Sequence, residues 1–154
     1  EKDVIIPLSK IIGTDENINF NGKIDAIFYN DKGDYLIVDW KTDANTDRSS
    51  KHRQQLSAYR KAFSVSKNIQ ENKIIVGIGF IGLRKKINTG DIDFEFDKDQ
   101  PRKTAFETFS KKVSMLLSWK KDISIFFEKL SKEKSDEPLW RSIVEQYKLE
   151  KEKN

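Results

Sequence analysis

Between Gly22 and Tyr59 stand three groups of side chains whose types and spacing suit work on a phosphate ester. Asp25 is an acid on an otherwise apolar run. Asp39-Trp40-Lys41 places an acid and a base two residues apart, so in a strand both side chains point to one face. A hairpin turn near Lys32-Gly33 would bring the partner of Asp39 close to Asp25, leaving two carboxylates face to face across adjacent strands. Like charges so placed repel, and each loses hydration if buried. A hard divalent cation resolves both problems: Mg²⁺ takes one or two carboxylates, keeps several waters and accepts phosphate oxygens. Asp25, Asp39 and the backbone carbonyl of Trp40 are the candidate ligands. The Lys41 ammonium could orient an attacking water, help lower its pKa, or neutralise charge building on the phosphate. Gln55 and Tyr59, four residues apart, share a helical face and could hydrogen-bond to Lys41, a metal-bound water or a nucleic-acid backbone.

These residues need a sheet and a crossing helix to hold them. Val4 to Ile12, interrupted by Pro7, reads as an edge strand or an extended approach to the sheet. Ile18 to Tyr29 alternates as one strand, with Phe20, Gly22, Ile24, Ala26 and Phe28 on one side. Asn30 to Asp34 is a hairpin turn and Tyr35 to Trp40 the partner strand. Ser49 or Ser50 could cap a helix from about Lys51 to Val65 with Leu56, Tyr59, Ala62 and Phe63 as its apolar stripe. Ile74 to Leu83 is a buried strand, Lys85 to Gly90 a polar turn, and Asp91 to Asp97 an outer strand. The glycines at 77, 79 and 82 sit inside that buried strand, so they are no nucleotide loop, which must open a helix. From Arg102 the spacing becomes helical, with further helices over Ile123 to Lys132 and Leu139 to Lys148. The sum predicts an α+β fold, a mixed β-sheet flanked by helices, with a helical C-terminal part.

The 154 residues suit one domain, with a core over about 4–100 and the helical part over about 102–150. There is no cysteine, which excludes disulfides, zinc-thiolate sites and cysteine-held iron–sulfur clusters and fits an intracellular protein. No apolar run approaches a membrane span. The chain opens on Glu1, which reads as a piece of a longer polypeptide. Its formal charge of +4 is concentrated: Lys41 to Ala62 holds six basic residues against Asp43 and Asp47, and the remainder balances. That local field suggests an anionic partner, with Arg48, Lys51, Arg53 and Arg60 as candidate phosphate contacts. His52, the only histidine, reads as a surface or DNA-facing residue. Trp119, Trp140 and Phe126-Phe127 read as core or a docking surface.

Taken singly, each group has a bland reading: Asp-x-Lys as a strand salt bridge, Gln55 and Tyr59 as a satisfied helix face. Taken in order, Gly22-Lys23-Ile24-Asp25, Asp39-Trp40-Lys41-Thr42 and Gln55-Leu56-Ser57-Ala58-Tyr59 resemble the motifs of the PD-(D/E)XK nuclease superfamily. The likeness is to its RecB-like branch, which includes nuclease domains at the C-terminal end of UvrD/AddA-type helicases. The resemblance implies a restriction-endonuclease-like core and Mg²⁺- or Mn²⁺-dependent cleavage of DNA, often exonucleolytic. It implies Asp25 and Asp39 as metal ligands, Lys41 as the catalytic lysine, and Gln55 and Tyr59 supporting the site. DNA and a helicase or repair-complex component would be the partners. The alternative is a catalytically silent, nuclease-like module that binds DNA or protein. In that family a helix bearing an acidic or His residue usually lies well upstream of the Gly-x-x-Asp strand; the residues before Asp25 read here as strand and loop.

Overall fold

Alternating apolar residues build the strands and helical periodicity builds the helices in a computed structural model that describes residues 1–43, 48–83, 93–133 and 137–153. In chain order they are β1 (Lys2–Pro7), α1 (Ser9–Ile12), β2 (Asn19–Ile24), β3 (Ala26–Tyr29), β4 (Tyr35–Lys41), α2 (Ser49–Lys67), β5 (Ile74–Leu83), β6 (Asp93–Asp97), α3 (Lys103–Lys121), α4 (Ile123–Glu133) and α5 (Pro138–Lys151). Two compact units result, residues 1–110 and 111–154, with the division falling inside α3.

In the first unit the strand order is β3-β4-β5-β6. The β4–β5 pair is parallel and its neighbours are antiparallel, so the sheet is mixed, as expected for an α+β fold. Parallel strands need a crossover connection, and α2 supplies it. Its stripe of Leu56, Tyr59, Ala62 and Phe63 packs with Ile37 of β4 and Val76, Ile78 and Phe80 of β5, all nearly solvent-free. The register pairs Ile37 with Val76, Asp39 with Ile78 and Lys41 with Phe80. Asp39 and Lys41 therefore continue, on the helix side of the sheet, the row that Ile37 begins.

The expected single strand from Ile18 to Tyr29 is two. The chain breaks at Asp25: β2 pairs with β1 in a separate two-stranded sheet, while β3 pairs with β4. The expected extended run from Val4 to Ile12 also divides. β1 stops at Pro7, and the next residues wind into α1, closed by Gly13 at φ +71°. Val4, Leu8 and Ile11 are buried by this arrangement. Neither Ser49 nor Ser50 is the N-cap of α2; that position falls on Arg48, without a side-chain cap bond. The predicted turn from Lys85 to Gly90 lies outside the described residues.

In the second unit the C-terminal aromatics pack among themselves. Trp119 meets Phe126 edge-on at 5.0 Å, and Phe127 stacks on Tyr147 at 3.9 Å. The edge-on pair suits the ring quadrupole.

One side chain completes the sheet. Asp97 lies opposite Ile78, so the next rung of the β5–β6 ladder would fall on Val76. The Gln100 side chain takes that rung, accepting from Val76 N at 3.1 Å and donating to Val76 O at 2.9 Å. Val76 is fully buried, so losing this partner strands two backbone groups. Gln100→Ala should lower unfolding free energy by about 1–3 kcal/mol, read by urea denaturation with an unchanged m-value. An effect near zero would mean that solvent replaces the amide.

Candidate active site

The break at Asp25 has a visible cause. Trp40 N donates to Asp25 Oδ2 at 2.8 Å. Ala26 is opposite Val38, so continuing that register sets Asp25 opposite Asp39. The Asp25 carboxylate takes the ladder bond that a β3 carbonyl would otherwise accept. In a strand the N–H and C=O of one residue face the same neighbour, so the Trp40 carbonyl is directed to this edge too. The indole of Trp40 lies on the other side of the sheet, flat over Gly79, where an added Cβ would come within 2.2 Å of the ring.

Asp39 is 3% exposed. Burial raises its carboxyl pKa above the ordinary range; the Lys41 ammonium pulls it back down, and the Asp25 carboxylate pushes in the same direction as burial. Lys41 Nζ lies 2.7 Å from Asp39 Oδ2. Oδ2 is thus a solvent-shielded oxygen whose charge is met by this ammonium, and the ion pair offsets only part of the cost of burying the acid. Oδ2 of Asp39 and the second oxygen of Asp25 are the atoms that could hold a divalent cation. Among the described residues no group of three or more His, Cys, Asp or Glu is arranged to hold a metal.

From α2 a short polar chain reaches back to Lys41. Lys41 Nζ donates to Gln55 Oε1 at 3.4 Å, and Gln55 Nε2 donates to the Tyr59 hydroxyl at 2.7 Å. Gly22, which opens Gly-x-x-Asp, lies against the rings of Phe20 and Tyr59: an added Cβ would come within 2.7 Å of the first and 3.0 Å of the second, so a side chain there would displace them. All five residues expected at the site, Asp25, Asp39, Lys41, Gln55 and Tyr59, thus meet at one end of the sheet.

The basic residues do not all gather there. Arg48 lies 4.0 Å from Asp43 and is otherwise well exposed. Lys51 is exposed on the first turn of α2. Arg53 is bound to Asp97 of β6 and reaches Asp99 at 3.5 Å. Arg60 contacts Glu71 at 3.8 Å, and Lys61 bonds the same carboxylate at 2.9 Å. Glu71 precedes β5, whose first residue pairs with Tyr35. Arg60 therefore lies toward the end of the sheet opposite Lys41.

Two residues at the site were not expected there. His52 is partly buried, with its side chain 13% exposed, and Nε2 lies 2.7 Å from Asp43 Oδ2. Its ring meets Phe80 edge-on at 6.3 Å. The available signal was parity, since Asp43 follows Lys41 by two residues and His52 precedes Gln55 by three, but the polar stretch between them hid it.

A family model for the PD-(D/E)XK nuclease superfamily matches residues 2–146. No curated relative and no solved structure matches the chain. The mixed sheet with its crossover helix, the Asp, Asp-x-Lys and Gln-x-x-x-Tyr side chains collected at one sheet end, and a match over nearly the whole length lead to one conclusion: the chain belongs to the PD-(D/E)XK nuclease superfamily.

Proposed function

We propose that this domain is a Mg²⁺- or Mn²⁺-dependent deoxyribonuclease of the RecB-like branch. In this reading it acts inside the cell on DNA ends, in repair or recombination, tethered to a helicase or repair complex. The observation that carries the reading is Asp39: a buried carboxylate at the end of an apolar row, close enough to Asp25 to feel its charge, with the Lys41 ammonium 2.7 Å from its Oδ2. Folding alone gives no reason to bury an acid at the end of an apolar row. A divalent cation does, and two carboxylates with a backbone carbonyl fit an ion that keeps several of its waters. Asp25, Asp39 and the Trp40 carbonyl would hold it. Bound there, such an ion polarises phosphate oxygens and makes water a stronger nucleophile at neutral pH.

The chain's own residues do the rest. Lys41 holds a positive charge beside Asp39, positioned to orient water or to offset charge developing on the phosphate. Gln55 limits the directions open to the Lys41 ammonium, and the Tyr59 hydroxyl holds Gln55 in turn. Arg48 and Lys51 are the cations best exposed to grip phosphates. Arg53 and Arg60, engaged by acids, contribute less to that grip than their charge alone suggests. Phosphate contacts of this kind position DNA without reading its sequence. The lack of a three-carboxylate cluster among the described residues favours a second reading, a nuclease-like module that binds without cutting.

The two readings separate with end-labelled linear and closed circular DNA in Mn²⁺. Loss of the linear substrate alone, abolished in Lys41→Ala, is the expected result for an end-dependent nuclease. Cleavage that persists in the variant would place the chemistry elsewhere, and binding without cleavage by wild type would favour the silent module. Thermal melting tests the metal. Mn²⁺ should raise the wild-type Tm and leave Asp39→Asn unmoved. A carboxyl whose folded pKa is raised binds its proton more tightly in the native state, so stability falls as pH rises through that interval and stays lower above it. Metal-free Asp39→Asn, neutral at every pH, should therefore melt no lower than wild type at pH 7; an equal Mn²⁺ shift in both proteins would remove Asp39 from the site. For Arg48→Ala and Lys51→Ala, DNA affinity should drop alike on all sequences, and the salt dependence should lose about one unit of slope per residue. An unchanged slope would exclude them as phosphate contacts.

A further inference from the structure

We infer that His52 and Asp43 form a positioning pair that holds Lys41 in its working place; the inference rests on the nuclease reading for its catalytic consequence but not for its geometry. Lys41 is the last residue of β4, and its partner in the ladder is Phe80. Strand ends fray unless something beyond the ladder ties them down. The Lys41 ammonium is held within its own strand by Asp39 at 2.7 Å, and its bond to the helix, through Gln55, is a long one at 3.4 Å. Two residues further on, Asp43 Oδ2 meets His52 Nε2 at 2.7 Å, with 24% and 13% of those side chains exposed.

The two contacts form successive rungs between one strand end and one helix face. Lys41 meets Gln55 and Asp43 meets His52: two residues forward along the strand and three back along α2, a spacing that keeps both helix residues on one face. An ionised carboxylate can only accept, so Nε2 is assigned the hydrogen. The imidazole is held from a second direction by the Phe80 ring. Arg48 stands 4.0 Å from the other Asp43 oxygen, which adds charge without replacing the short bond. The pair thus ties the chain two residues beyond Lys41 to the first turn of α2. His52 bonds Asp43 and faces the Phe80 ring, so the role inferred for it is the placement of the ammonium, not the chemistry.

A lysine ammonium fixed by partners gives an observable ¹H–¹⁵N signal, whereas freely hydrated ones exchange away. The test uses the full chain: wild type, His52→Leu, Asp43→Asn and His52→Gln, with Lys41→Ala to assign the Lys41 signal. His52 is the sole histidine, so its imidazole resonances report the pair without ambiguity. The Lys41 signal should be present in wild type and lost in His52→Leu and Asp43→Asn. In His52→Gln, whose amide offers a donor at similar reach, it should return. The single-turnover rate at saturating DNA should fall about 10–100-fold in the first two variants. The half-saturating DNA concentration and the Mn²⁺-induced Tm shift should hold, and the double variant should be no slower than either single one. A Lys41 signal absent from wild type, or unchanged in His52→Leu, overturns the proposal whatever the activity. So do rates that multiply in the double variant, or weaker DNA binding at an unchanged rate. A signal that behaves as expected in a wild type that cuts no DNA upholds the positioning pair and overturns the nuclease reading instead.

Discussion

The hydrogen bond from Trp40 N to the Asp25 carboxylate at 2.8 Å organises this fold. It substitutes a side chain for a backbone partner at the point where β3 would extend along β4. The strand ahead of it is released to pair with β1, and a second small sheet forms. The same bond brings an acid up to the edge of β4 beside Asp39, and like charges do not approach across a ladder without a reason. One contact therefore ends the sheet pairing, divides a strand and creates the acidic pair. The site is in this sense a defect in the sheet, set where the chain can least ignore it.

Asp39 shows what that defect costs. Its row on β4 runs from the fully buried Ile37 to the carboxylate and then to Lys41, over the face that α2 covers. An apolar residue at that position would satisfy the core. The acid instead loses hydration and gains the Lys41 ammonium at 2.7 Å, which offsets burial only in part, since the carboxyl pKa stays raised. Interiors tolerate such an atom where something else meets its need, and carboxylates displaced from their ordinary pKa collect at functional sites for this reason. Stability and function pull opposite ways at one side chain.

Helix α2 carries both demands on a single surface. Leu56, Ala62 and Phe63 seal the core, and His52, Gln55 and Tyr59 address the polar end of β4. Because the helix is the crossover between two parallel strands, the sheet sets its position, and its N-cap, Arg48, makes no side-chain cap bond. Its basic residues differ in what engages them: Lys51 on the first turn and Arg48 just before it stay accessible, Arg53 is held by Asp97, and Arg60 and Lys61 meet Glu71.

The elements themselves were legible in the sequence because periodicity is local. β4, β5, α2 and the C-terminal helices lie where alternation or helical spacing put them, within a few residues. The meeting of Asp25 with Asp39, and of Lys41 with Gln55, followed from hairpin register and parity. The rest depended on contacts that no window of sequence contains. Asp25 sits in a run that alternates without interruption, so nothing local marks the break; only the distant Trp40 N–H makes it. Arg53 and Arg60 read as free charge until the fold set Asp97 and Glu71 beside them. His52 looked like a surface residue because its partner, Asp43, lies across a polar stretch with no periodicity to follow. Pattern determined which residues share a face, and tertiary packing determined which charges meet a counter-charge there, because electrostatic pairing depends on distance in space and periodicity reports only separation along the chain.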